Sequence, residues 1–184
     1  MPKHVLVAYA SLHGSTRDVA EAVAETLRDC GLQADCVVAR DVRFLAGYDA
    51  VVLGAAIYIG RLHKDARHFL RRYQWDLSRL PVAIFALGPF HDEEKEWRDV
   101  RGQLTQQLAK YPWLDPLACE IFGGVFDPAK LRFPFRLLPA LRNLPPSDIR
   151  NWPAIRTWAK EVAAKLQPTV AVEQQLGTAV RAGG

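Results

Sequence analysis

The chain has 184 residues, with 24 Lys and Arg against 20 Asp and Glu, a net charge of +4, and 49% hydrophobic residues. This length and composition suit one globular domain that buries roughly 70% of its unfolded surface without a disulfide or metal staple, and they exclude a disordered chain. No apolar run approaches the ~20 residues needed to cross a bilayer. Cys30, Cys36 and Cys119 lack any CxxC spacing, which argues against a zinc cluster and for a reducing, cytoplasmic setting in which they serve as small buried hydrophobes.

In chain order, the apolar run 5–10 is too short for a signal-peptide core and reads as a first strand. The polar loop Ser11-Leu12-His13-Gly14-Ser15-Thr16 follows, and then Val19, Ala20, Val23, Ala24 and Leu27 recur at helical spacing up to Gly31. A weaker strand is predicted over 34–39 and strong ones over 50–57, 82–87 and 121–125. These runs are near-continuous rather than alternating, as in parallel strands covered on both faces. Helices are predicted over 64–73, 94–110 and 152–166, with an irregular proline-containing segment from Asp127 to Asn151 before the last. The tail from Gln167 to Gly184 has no sustained periodicity and should be loosely attached. Strand and helix in alternation predict a single α/β domain over 1–166, with a mainly parallel sheet and right-handed crossovers.

The loop after the first strand carries the chemistry. Ligands of open α/β sheets sit at the carboxyl ends of the strands, and a helix N-terminus there offers unpaired N–H groups to an anion. Ser11, Ser15 and Thr16 add hydroxyls, and Gly14 lets backbone approach closely. Helix capping alone accounts for part of this pattern, since Ser15 followed by Asp18 is close to a capping box. The loop is neither GxxxxGK[ST] nor GxGxxG, and it lacks the acidic residues of a receiver domain, which disfavours those three phosphate chemistries.

Residues 5–16 resemble the phosphate loop of flavodoxins: an apolar strand, S/T-x-x-G-x-T, then a helix. Three further stretches are similar to the branch of flavodoxin-domain proteins that includes the menaquinone-dependent protoporphyrinogen IX dehydrogenases. They are 51–63, then 122–127 with 133–138, and Asp148-Ile149-Arg150-Asn151-Trp152. The resemblance implies a flavodoxin-like, doubly wound three-layer sandwich whose five parallel strands lie in the order 2-1-3-4-5, with non-covalent FMN over the strand ends. It further implies that Ser11, His13, Gly14, Ser15 and Thr16 hold the FMN phosphate. Ala55, Ala56, Ile57, Tyr58, Ile59 and Gly60 would line one side of the isoalloxazine, and Leu87, Gly88, Pro89 and Phe90 the other. Tyr58 and Phe90 are candidate stacking faces, and no catalytic acid or base is assigned.

The expected activity is that of an FMN-dependent oxidoreductase, protoporphyrinogen dehydrogenase-like, passing electrons to a quinone. The alternatives are a flavodoxin-type electron carrier served by a redox partner protein, and a flavin-free binding module of the same fold. The stretch His91-Asp92-Glu93-Glu94-Lys95-Glu96-Trp97 is acidic where the resembling dehydrogenases tend to be basic. Basic and apolar residues alternate between Asp127 and Asn151, as in a membrane-peripheral segment, although Pro134 and Pro139 break any long amphipathic helix. Nothing resembles a nucleic-acid recognition module. Oligomeric state is left open.

Overall fold

A computed structural model describes residues 1–11, 14–58, 60–130 and 145–167. Leu12, His13 and Ile59, residues 131–144 of the segment considered for membrane contact, and residues 168–184 of the tail lie outside the described residues.

The elements follow in the order β1 (His4–Ala10), α1 (Ser15–Asp29), β2 (Gln33–Val38), β3 (Ala50–Tyr58), β4 (Arg61–Leu62), α2 (Lys64–Arg72), α3 (Gln74–Leu77) and β5 (Val82–Leu87). The second half comprises α4 (Glu94–Leu108), β6 (Ala118–Phe122), β7 (Val125–Phe126), β8 (Ser147–Asp148) and α5 (Trp152–Leu166). The main sheet runs β2-β1-β3-β5-β6, with every neighbouring pair parallel. With the two-residue β4 set aside, that is the expected order 2-1-3-4-5. β1 lies inside the sheet, where Val7 sits between Cys36 and Val52.

Side chains of successive strand residues point to opposite faces, so each interior strand feeds two cores. Leu6, Leu53 and Ile84 pack with Phe69 and Leu70 of α2 and Leu104 of α4. Val5, Val7, Val52 and Phe85 pack with Val23 and Leu27 of α1 and Ile155 and Trp158 of α5. This double covering explains the apolar runs at 50–57 and 82–87, since β5 and all of β3 except Tyr58 are buried.

The edges depart from expectation. The run predicted at 121–125 is two strands: β6 begins at Ala118, and the chain then turns at Gly123. A Cβ at Gly123 would lie 2.2 Å from the Ile149 carbonyl oxygen, so only glycine admits the backbone that follows β8 there. The cysteines are not the buried hydrophobes expected. Cys30, which caps the end of α1, and Cys36, on the outer strand β2, are half-buried, and Cys119, on the outer strand β6, is exposed. Partial burial pushes the Cys36 thiol up to about 11. The described residues include no helix long and apolar enough to cross a membrane.

Candidate functional site

The three loops singled out from the sequence emerge at the same end of the sheet. Ala10 pairs with Ala55, and Ala56 with Leu87, so the ends of β1, β3 and β5 lie side by side. Ser11, Gly14, Ser15 and Thr16 join β1 to α1. Ala55 to Tyr58 finish β3, and Gly60 turns into β4. Gly88, Pro89 and Phe90 follow Leu87 at the end of β5.

Gly14 caps α1 at φ +92°, a left-handed conformation that L side chains rarely adopt. Its N–H donates to Ser11 Oγ at 3.0 Å, which leaves the Ser11 hydroxyl hydrogen free to donate elsewhere. The opening turn of α1 presents its first N–H groups without intrahelical acceptors, and the first closing bond runs from Asp18 N to Gly14 O at 3.1 Å. Thr16 has an exposure of 0%, and its Oγ1 has no hydrogen-bond partner among the described residues. Buried hydroxyls are nearly always paired. A dry, orphaned hydroxyl in the first turn of a helix, beside unpaired N–H groups, is suited to an oxyanion.

The second loop is held from a distance. Gly60 has φ +70°, and its carbonyl accepts from Gln107 Nε2 on α4 at 2.9 Å, a bond spanning 47 positions. Just beyond, His63 N donates to Ala56 O at 2.9 Å, and His63 Nδ1 accepts from Asp65 N at 3.2 Å to cap α2. With Nδ1 accepting, the proton sits on Nε2, which is buried without a partner among the described residues. Burial of this side chain, 4% exposed, pushes its pKa below the usual value of 6.5. The Tyr58 ring meets the His63 ring edge-on, with 6.4 Å between centroids.

The third loop is clamped from two sides. Glu96 lies in the first turn of α4, where the helix dipole favours a carboxylate. Its Oε1 accepts from Phe90 N at 2.7 Å, and its Oε2 accepts from His91 N at 3.2 Å. Trp97 Nε1 donates to Asp92 Oδ1 at 2.9 Å, and Arg98 to Glu94 Oε1 at 2.8 Å. Asp92, Glu94 and Glu96 of the stretch from His91 to Trp97 are therefore engaged locally, in shaping the loop and the start of α4. From the other side, Gly124 N donates to Pro89 O at 2.7 Å and Ser147 Oγ to Phe90 O at 2.6 Å. The Phe90 ring packs tilted on Phe126, with centroids 5.7 Å apart.

Arg150, just before α5, joins this end of the fold to α1. Its Nε and Nη2 donate to Asp148 at 2.8 and 2.5 Å, its Nη1 donates to Asp18 Oδ2 at 2.9 Å, and its guanidinium lies 4.8 Å from the Trp152 ring centre. The Arg150 guanidinium holds the Asp148 carboxyl below the usual carboxylate range. Sequence reasoning missed Glu96, which folds back five and six positions onto His91 and Phe90, and also Gln107, Ser147 and the pairing of Asp18 with Arg150, whose partners lie 47 to 132 positions away and leave no local signal.

The flavodoxin domain pattern matches residues 6–138 of this sequence. The chain belongs to the flavodoxin domain family. Over 170 residues it is 24% identical to "Protoporphyrinogen IX dehydrogenase (quinone)" of Escherichia coli K12, covering 86% of this chain and 93% of that protein. Over 89 residues it is 34% identical to "Probable flavodoxin 1" of Bacillus subtilis, covering 46% of this chain and 56% of that one. Its backbone superposes on a flavodoxin mutant from Pseudomonas aeruginosa with a TM-score of 0.58 at 14% identity, covering 90% and 99% of the two chains. FMN is the cofactor of this flavodoxin family. The residues present fit it: the orphaned Thr16 hydroxyl and the open turn of α1 suit its phosphate, and two clamped loops stand at the neighbouring strand ends.

Proposed function

We propose that this flavodoxin-family protein is an FMN-dependent oxidoreductase of the protoporphyrinogen dehydrogenase type, with a quinone as electron acceptor. The observation that supports this reading is the 170-residue match to the Escherichia coli dehydrogenase, which covers 86% of this chain and 93% of that protein. The active unit spans residues 1–166 as one domain. Ser11, His13, Gly14, Ser15 and Thr16 hold the phosphate through hydroxyls and backbone N–H groups. Ala55, Ala56, Ile57, Tyr58, Ile59 and Gly60 border the flavin ring on one side, with Leu87, Gly88, Pro89 and Phe90 on the other. Bound FMN supplies one- or two-electron transfer, and the chain's part is to position the ring, shield it and set the polarity around it. Gln107 and Glu96 do this indirectly by fixing the carbonyl of Gly60 and the N–H groups of Phe90 and His91.

A second reading, an electron carrier with no organic substrate of its own, is favoured by the 34% match to the Bacillus subtilis protein over 46% of this chain. One experiment separates the two. Purified protein reconstituted with FMN should show flavin absorbance near about 450 nm and should oxidise protoporphyrinogen with menaquinone as acceptor. Flavin binding without that oxidation favours the carrier, and failure to bind FMN refutes both.

A further inference from the structure

The opening turn of α1 contains a charge that opposes its ligand. Asp18, whose N–H closes that turn on Gly14 O, carries a carboxylate on the helix end that would receive a phosphate dianion. Like charges at such range disfavour each other, and the helix end cannot favour both fully. The fold answers with Arg150. Its side chain is only 14% exposed, whereas those of Asp18 and Asp148 are 54% and 45% exposed, so the cation lies deeper than either anion it binds. Both edges of the guanidinium fork are engaged by carboxylates, and Trp152 covers its face. Arginine suits this position because its planar fork can bind two partners in fixed directions. The three groups sum to a charge of −1; without Arg150 they would sum to −2 beside the phosphate loop.

We infer that Arg150 is a positioning residue that sets the site's preference for phosphorylated over unphosphorylated flavin. It does so by neutralising Asp18 and turning its carboxylate toward the segment before α5. This deepens the FMN reading and rests on it. Arg150 acts through Asp18 rather than by touching the ring, so its effect should follow the phosphate and not the isoalloxazine. A residue that merely stapled α5 to α1 would instead lower the affinity for every flavin alike.

The test compares FMN with riboflavin, which shares the ring but lacks the phosphate, by flavin-fluorescence titration of the full chain. Arg150→Met should raise the FMN Kd about three- to tenfold and leave the riboflavin Kd within about twofold. The FMN difference should shrink as salt rises, because exposed charges are screened. Asp18→Asn, a conservative change at a half-exposed side chain, should bind FMN more tightly than the native protein. The Asp18→Asn/Arg150→Met double variant should recover most of the affinity that Arg150→Met loses. Equal losses for both flavins, or native FMN affinity in Arg150→Met, would overturn the inference while leaving the FMN site intact. A native protein that binds no FMN would overturn the cofactor reading and this inference together.

Discussion

Replacing Thr16 with valine should move stability and affinity in opposite directions. Valine keeps the β-branch and nearly the same volume, so the helix and its packing are preserved. What changes is the hydroxyl, whose Oγ1 is buried without a partner among the described residues. An unsatisfied buried polar group costs about 1–3 kcal/mol. Removing it should stabilise the flavin-free protein, and each 1 kcal/mol recovered raises Tm by about 2–4 °C for a chain of this size. A hydrogen bond to a charged group contributes about 1.5–3 kcal/mol, so losing one to the phosphate should raise the FMN Kd about 10- to 150-fold. Thermal denaturation of the flavin-free variant and flavin titration give the two signs separately. A flavin-free Thr16→Val that melts below the native protein, or one that keeps native FMN affinity, would refute the assignment of Thr16 to the phosphate.

Three further outcomes follow from the clamps and the core. Glu96→Ala leaves the N–H groups of Phe90 and His91 without their carboxylate, so hydrogen exchange at both should accelerate and stability should fall by about 1–3 kcal/mol; unchanged protection would show that the carboxylate does not hold the loop. Gly54→Ala places a Cβ 2.2 Å from Phe85 Cζ, on a ring fixed by Phe122 and Trp158, and should cost about 1–3 kcal/mol by denaturant titration. Adding Phe85→Leu should recover part of that loss, and an additive double variant would argue against the clash. His63 titrates below 6.5 in the folded state, chiefly through burial, while the unfolded chain titrates near 6.5. Below that pH the unfolded state therefore binds more protons, and stability is lost as pH falls. His63→Gln should flatten the fall in urea midpoint below pH 6.5, and identical pH profiles would count against a buried neutral imidazole.

The sequence disclosed what repeats along the chain and hid what crosses it. β3 and β5 were legible because burial on both faces leaves apolar runs. The start of β6 leaves little trace because, on the sheet edge, Cys119 is exposed and Glu120 half-buried, which dilutes the apolar signal. β4 and α3 are too short to leave a period. The loop proposed for the phosphate stands out because its hydroxyls and glycine fall within six residues, 11–16. The acidic stretch from His91 differs from the resembling dehydrogenases, and the role of its Glu96 in holding the third loop appears only once that side chain folds back on Phe90. Gln107 and Ser147 look like ordinary surface polar residues until folding brings them to Gly60 and Phe90, and the family-like stretch that contains Arg150 gives no sign of its reach to Asp18.

The span of these bonds has a consequence for synthesis. β1 is translated first but lies inside the sheet, so it lacks its full set of neighbours until both β2 and β3 have left the ribosome. The clamp on the second loop waits for residue 107, and the one on Asp18 for residue 150. A nascent chain thus carries the whole phosphate motif long before it has a site. The cofactor can stabilise only a nearly finished polypeptide, so a prematurely terminated product should gain nothing from added FMN and should be left to proteolysis.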